Sequence, residues 1–232
     1  MKPLLLQIQT ITDSINSPVV EEKTLSIIDL ISSGGTGGTI IMSSLGILSI
    51  VAVYILFERY SAIKKASQED ENFLKSIRNF VEAKDIEAAK TLCRNTDNPI
   101  ARMIEKGVNR IDKPMPDISA AIENQGKLEI YKMENNLANL ATIAGAAPMI
   151  GFLGTVIGMI VAFHEMASAG GNIDVEMLSK GIYTAMVTTV AGLVVGIIAY
   201  ISYNYLVSKV DKVVFMLEAK TTEFLDLLHH NE

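Results

Sequence analysis

With 232 residues, a net charge of −6 and a single cysteine, Cys93, the chain has no basic excess to attract nucleic acid and cannot form an intrachain disulfide. Its 49% hydrophobic content is ordinary for a soluble domain, so the total decides nothing. The distribution decides: apolar residues gather in three long uncharged runs, and charges gather between and after them.

At the N-terminus, Leu4-Leu5-Leu6 ends at Gln7, too short for the apolar core of a signal peptide. The polar stretch Asp13 to Glu22 suits an interfacial helix or a mobile arm. Residues 1–39 read as an extracytoplasmic arm, whose Ser/Gly/Thr-rich end, Ser32 to Thr39, is a flexible approach. The first uncharged run lies between Asp29 and Glu58, and its spanning part is Ile40 to Phe57 (40–57).

Residues 58–134 are expected to be helical and cytoplasmic. Phe73, Ile77, Phe80 and Val81 fall at helical spacing, as do Ile100, Met103, Ile104, Val108 and Ile111. Asn98-Pro99 fits an N-cap followed by proline at the first helical position. Cys93, in a polar helical stretch, reads as a buried or idle thiol. Lys113-Pro114-Met115-Pro116-Asp117 breaks the helix, Asp117 caps the next, and that helix is expected to run from about Ile118 straight into the second span.

The second run, between Glu134 and Glu165, places a span at 135–163; a short loop covers 164–180. The third, between Lys180 and Lys209, places a span at 181–208. Each run holds at least 18 residues without Asp, Glu, Lys or Arg. A helix needs about 20 apolar residues to cross a bilayer core of roughly 30 Å. One such run could be a buried soluble helix; three in a chain this short could not. The tail, 209–232, carries the stripe Val210, Val213, Val214, Leu217, Phe224, Leu225 and Leu228, extending the third span as one helix that packs against 58–134 and neighbouring copies. His229 and His230 read as a frayed end rather than a metal site. No segment alternates with period two, so the fold class is all-α: three transmembrane helices with long cytoplasmic extensions and a helical cytoplasmic domain.

Orientation follows from Lys and Arg near span ends. Arg59, Lys64 and Lys65 follow the first span, Lys127 and Lys132 precede the second, and Lys209 and Lys212 follow the third. Glu165 to Ser179 has neither residue, and the first 39 residues have only Lys2 and Lys23. The 58–134 segment and the tail are therefore cytoplasmic, with the N-terminus and the 164–180 loop opposite.

Two features of the spans bear on chemistry. Ala144, Pro148, Gly151, Thr155, Gly158 and Ala162 share one face of the second span; Ala185, Thr189, Gly192 and Gly196 share one face of the third. Small faces let backbones approach, and Gly154/Gly158 and Gly192/Gly196 have the small-xxx-small spacing. Pro148 frees the Ala144 carbonyl, which needs another partner. The second feature is hydroxyls: Thr155 in span two, and Thr184, Thr188 and Thr189 in span three. Each could back-bond to its own helix, or together they could line an ion path. No Asp, Glu or His lies within a span core, so a moving cation would need a carboxylate from elsewhere.

The segments Leu140-Ala141-Thr142-Ile143-Ala144, Ala147-Pro148 and Gly151-Phe152-Leu153-Gly154-Thr155-Val156-Ile157-Gly158-Met159 resemble the second-span signature of the ExbB/TolQ/MotA family. Gly181-Ile182-Tyr183-Thr184-Ala185-Met186-Val187-Thr188-Thr189-Val190-Ala191-Gly192-Leu193 resembles its third-span signature, and Asn98-Pro99-Ile100-Ala101-Arg102 its cytoplasmic Asn-Pro-x-x-Arg element. The resemblance covers roughly residues 40–230, and three spans favour ExbB or TolQ over the flagellar stator branch. It implies an inner-membrane homopentamer around two single-span helices of an ExbD/TolR-like partner that carries the ion-binding aspartate. Ion flow would drive rotation and pass work to a TonB- or TolA-like transducer. Thr155 and Thr189 match the pore-facing threonines.

One departure concerns the ion. Proton-type ExbB and TolQ proteins usually carry a glutamate where this chain has Thr184. A hydroxyl does not titrate near neutral pH, whereas sodium accepts several neutral oxygens. The ligand inventory therefore favours sodium, held transiently by Thr155, Thr184, Thr188 and Thr189 with the partner's aspartate; proton transport is the alternative. No resident metal or cofactor is expected beyond the transported Na+ or H+. No nucleotide loop, metal cluster or triad suggests an enzyme. A membrane scaffold that moves no ion is the other alternative, and it would tolerate Thr155→Val and Thr189→Val.

Overall fold

The computed structural model describes residues 35–67, 71–168 and 175–229, and within them the chain is helical without strands. In order the helices are α1 (Gly35–Ala66), α2 (Glu71–Glu82), α3 (Ile86–Asn95), α4 (Pro99–Val108), α5 (Met115–Glu134), α6 (Leu137–Ser168) and α7 (Val175–His229). Three helices are long and apolar enough to cross a membrane; the expected span 40–57 lies within α1 and 181–208 within α7, and the second uncharged run lies in α6 after its first two residues, Asn135 and Asn136. Residues 1–34 of the arm expected over 1–39, the centre of the 164–180 loop and His230 lie outside the described residues.

The three long helices form one bundle. Gly37 on α1 sits against Ile157 of α6, while Glu58, near the other end of the uncharged part of α1, meets Asn136 just before α6. On α7, Ala185 lies beside Gly158 and Gly196 beside Pro148. So α6 runs antiparallel to both α1 and α7, which are parallel to each other. Ile40, Ile47, Ile50, Tyr54 and Phe57 on α1 are exposed, as are Met149, Phe152 and Phe163 on α6 and Val190, Ile197 and Ile201 on α7. Apolar exposure on this scale suits a lipid or protein environment rather than water.

At 55 residues, α7 spans about 80 Å at 1.5 Å per residue, far more than a bilayer core. Its C-terminal half is the post around which α2, α4 and α5 pack, with α3 bridging α2 and α4. Val213, Leu217, Phe224 and Leu228 are buried there with Ile77 of α2, Cys93 of α3, Ile104 and Val108 of α4, and Ile118 and Ile122 of α5. Gly107 permits the junction: a Cβ there would lie 2.7 Å from Ile122 Cδ1 and 2.8 Å from Phe224 Cε1. Asn98 caps α4, accepting from the Ala101 amide at 2.7 Å, with Pro99 opening the helix.

The structure departs from expectation at four joints. Gly35–Thr39, expected to be a flexible approach, is already helical. The glycine penalty of about 1 kcal/mol each in a helix is a water value, and an apolar surrounding favours closed backbone hydrogen bonds. The helix after the proline breaker starts at Met115, with Pro114 at the cap and no side-chain cap; Asp117 lies in the first turn instead. That helix does not run straight into the second span. It stops at Asn135, and Asn136 adopts a left-handed φ of 65°, a conformation asparagine tolerates. Helix also occupies both ends of the interval 164–180, since α6 continues to Ser168 and α7 begins at Val175.

Candidate functional site

The seam between α6 and α7 is built on glycine. A Cβ on Gly151 would lie 2.6 Å from the Thr188 carbonyl oxygen, and one on Gly192 would lie 2.5 Å from the Ala147 carbonyl oxygen. Only hydrogen fits at either position. Pro148 packs on Gly196, Ala185 on Gly158, and Ala162 on Gly181, so both small-residue faces meet each other. The Ala144 carbonyl that Pro148 frees lies against Gly196, 3.1 Å from where a Cβ would sit.

Three of the four threonines converge on this seam. Thr155 Oγ1 donates to the Ala185 carbonyl at 3.0 Å, and it is hydrogen-bonded to Thr189 Oγ1. Thr189 Oγ1 reaches the Gly151 carbonyl at 3.2 Å. Thr188 Oγ1 lies 2.7 Å from the Ala185 carbonyl of its own helix and 3.0 Å from the Gly151 carbonyl across the seam. Two carbonyls, one per helix, thus gather three hydroxyls. Each hydroxyl has one proton and two acceptor lone pairs, so oxygen ligand capacity remains after these bonds form.

The threonines divide by exposure. Thr188 is 3% exposed and faces inward, since a Cβ on Gly154 would meet both Thr188 and Ile41 of α1. Thr184, one turn earlier, is 9% exposed. Thr155 and Thr189 are only partly buried. The uncharged interval of each long helix contributes no carboxylate, and among the described residues no three His, Cys, Asp or Glu side chains gather as a metal site.

A second polar cluster, which sequence reasoning missed, ties the charged end of the bundle together. Glu129 of α5 is 2% exposed and receives Arg102 Nη2 at 2.7 Å, Lys132 Nζ at 2.9 Å and Gln125 Nε2 at 2.8 Å. Burial pushes its carboxyl upward, but the Arg102 and Lys132 hydrogen bonds and charges outweigh that and hold it below the usual value. Arg102 also donates to Asp97 at 2.8 Å, and Asp97 accepts Lys65 of α1 at 2.6 Å. The Lys65 hydrogen bond and charge, then Arg102, hold Asp97 low. Buried Arg59, paired with Glu58, donates to the Lys132 carbonyl at 2.9 Å. Arg102 of the Asn-Pro-x-x-Arg element is thereby the link from α4 to α5 and, through Asp97, to α1. The only sequence signal for Glu129 was its place three residues before Lys132.

Residues 95–219 match the MotA/TolQ/ExbB proton channel family. The match includes Asn98, Arg102, Glu129 and all four span threonines. The chain is similar to an ExbB homolog among the biopolymer transport proteins of Methanothermobacter thermautotrophicus, 32% identical over 52% of this chain and 42% of that protein. An ExbB-like biopolymer transport protein of Synechocystis is 29% identical over 83% of this chain and 75% of its own length. The Tol-Pal system protein TolQ of Haemophilus influenzae is 35% identical over 44% of each chain. The aligned stretch thus spans less than half the length of the first and third of these relatives.

Proposed function

Because the chain belongs to the MotA/TolQ/ExbB proton channel family, we propose that it is an ExbB-like motor subunit of the inner membrane that converts a cation gradient into mechanical work. In this reading five copies surround two single-span helices of an ExbD/TolR-like partner, whose intramembrane aspartate supplies the carboxylate that the spans here lack. The work passes to a TonB-like transducer. The N-terminus is periplasmic and the C-terminus cytoplasmic, in keeping with Lys and Arg at the far end of α1 and around Lys209 and Lys212. TolQ relatives match as well, so a role in envelope integrity is the second reading.

The observation that carries the reading is the knot of Thr155, Thr189 and two backbone carbonyls on a glycine seam. It is an uncharged oxygen cluster in an apolar setting, suited to an ion handed past a carboxylate. With Thr184 in place of the usual glutamate, sodium is the favoured ion and Thr155, Thr184, Thr188 and Thr189 are the hydroxyls that would hold it; a proton is the alternative. Thr155 and Thr189, less buried than the other two, are the pair nearest to an outside ligand.

The test is ion flux in proteoliposomes holding this chain with its single-span partner, measured with and without sodium at fixed pH. Sodium-dependent flux is expected. Flux that ignores sodium moves the assignment to protons, and no flux under any gradient leaves a scaffold.

A further inference from the structure

Where α1 and α7 leave the apolar zone, Tyr60 and Tyr205 stack with ring centroids 6.3 Å apart. Both rings are exposed, and so are Phe57 and Ile201, one turn back toward the apolar zone on the same two helices. Because α1 and α7 run parallel, the residues four positions on, Lys64 and Lys209, emerge together one turn beyond the tyrosines. Lys209 Nζ sits 5.5 Å from the Tyr205 ring centroid, within cation–π range. Both lysines are exposed, and neither enters an ion pair among the described residues. The neighbouring acids among the described residues lie elsewhere: Glu58 is held by Arg59 and Asn136, and Asp211 is two residues from Lys209, on the far side of α7. By contrast Lys65, next to Lys64, is consumed by Asp97.

The order along this surface is apolar side chains, then two tyrosines, then two unpaired cations. That order follows a phospholipid from acyl chain to glycerol to phosphate. We infer that Tyr60, Tyr205, Lys64 and Lys209 form a docking surface for one anionic phospholipid of the lysine-side leaflet. The lysines meet the headgroup phosphate, and Phe57 and Ile201 lie along the acyl chains. The inference rests on the bilayer placement in the proposed function, but not on ion transport.

The chain has no tryptophan, so Tyr60→Trp places a single reporter in the surface. The full chain carrying it is reconstituted in phosphatidylcholine vesicles containing a minor fraction of brominated phosphatidylglycerol or, separately, of brominated phosphatidylcholine. Excess quenching by the brominated phosphatidylglycerol is expected, and Lys64→Gln with Lys209→Gln should abolish it, each lysine contributing a local enrichment of about fivefold. Lys75→Gln with Lys106→Gln, which removes the same charge from exposed positions elsewhere, should leave the excess intact. Inorganic phosphate at matched ionic strength should leave it intact too. Equal quenching by the two lipids, an excess that survives loss of Lys64 and Lys209, or an excess abolished by the control pair or by free phosphate would overturn the site. Absence of quenching by either lipid would overturn the bilayer placement along with it.

Discussion

Thr155 on α6 and Thr189 on α7 are hydrogen-bonded to each other across a seam where Gly151 and Gly192 hold the two backbones in near contact. The contact and the hydrogen bond depend on each other. A β-carbon at either glycine would push the helices apart, and the hydroxyls would then turn back to their own helices. The seam therefore fixes both the packing and the position of its oxygen atoms.

Replacing Thr189 by valine keeps the shape and removes the hydroxyl. Interhelical hydrogen bonds of this kind contribute about 0.6–2 kcal/mol, so the subunit should still fold and assemble. Ion flux with the partner present should fall to background, while Thr189→Ser keeps most of it. Parallel size measurements and flux assays separate the two effects. Unchanged flux in Thr189→Val and Thr155→Val would remove these two hydroxyls from the ion path.

Gly192→Ala should act differently, through packing. The added carbon lies 2.5 Å from the Ala147 carbonyl oxygen and 2.9 Å from Gly151 Cα, so backbone would have to move on both sides. Overpacking of this sort costs about 1–3 kcal/mol. Gly46 on α1 has nothing within 4 Å of a Cβ position, and Gly46→Ala should be neutral or stabilising by up to about 1 kcal/mol. Unfolding titrations in mixed micelles should rank the two variants on opposite sides of the parent.

What the sequence made legible divides along physical lines. The three spans stood out because an uncharged apolar run as long as a bilayer is thick rarely occurs in a short soluble chain, let alone three times. The Asn98 cap stood out because Asn-Pro encodes a local geometry. The facing glycines of α6 and α7 were visible as faces, though not as partners. The break at Asn135–Asn136 was hidden because Met133, Leu137 and Leu140 continue an apolar helical pattern through it, and asparagine lowers helix propensity only slightly. Glu129 was hidden for another reason. A glutamate in a charged helix reads as solvated until Arg102 arrives from 27 residues away. Thr188 and Thr189 are adjacent in sequence, and their exposures differ because Thr188 turns toward Gly154, where Ile41 of α1 also packs.

Cys93 should be silent to thiol reagents in the folded protein. It is 2% exposed, and burial, with the nearby Glu105 charge, pushes its thiol up to about 12, so little thiolate exists near neutral pH. Maleimide labelling of the native chain should be slow at pH 7–8 and should become rapid on denaturation. Fast native labelling would mean that α3 separates from α4 in solution.

The Glu129 cluster gives the folded chain a dependence on acid pH with a fixed sign. Its carboxyl is held below its unfolded value of 4.5, so its contribution is complete above that value and is lost as pH falls through the folded value. Glu129→Gln removes the charge and leaves Arg102 and Lys132 facing a neutral amide. Breaking a fully buried pair costs about 3–5 kcal/mol, but Arg102 and Lys132 are 35% and 54% exposed, so solvent screening reduces the expected loss to about 1–3 kcal/mol near neutral pH. Lys132→Gln should cost less, because Arg102 remains. The stability gap between the parent and Glu129→Gln should narrow as the medium is acidified and close once Glu129 is protonated in both states. Denaturant midpoints measured across that range check the sign. A gap independent of pH would assign the loss to packing, and the link from α5 through Arg102 and Asp97 to Lys65 of α1 would then be steric rather than ionic.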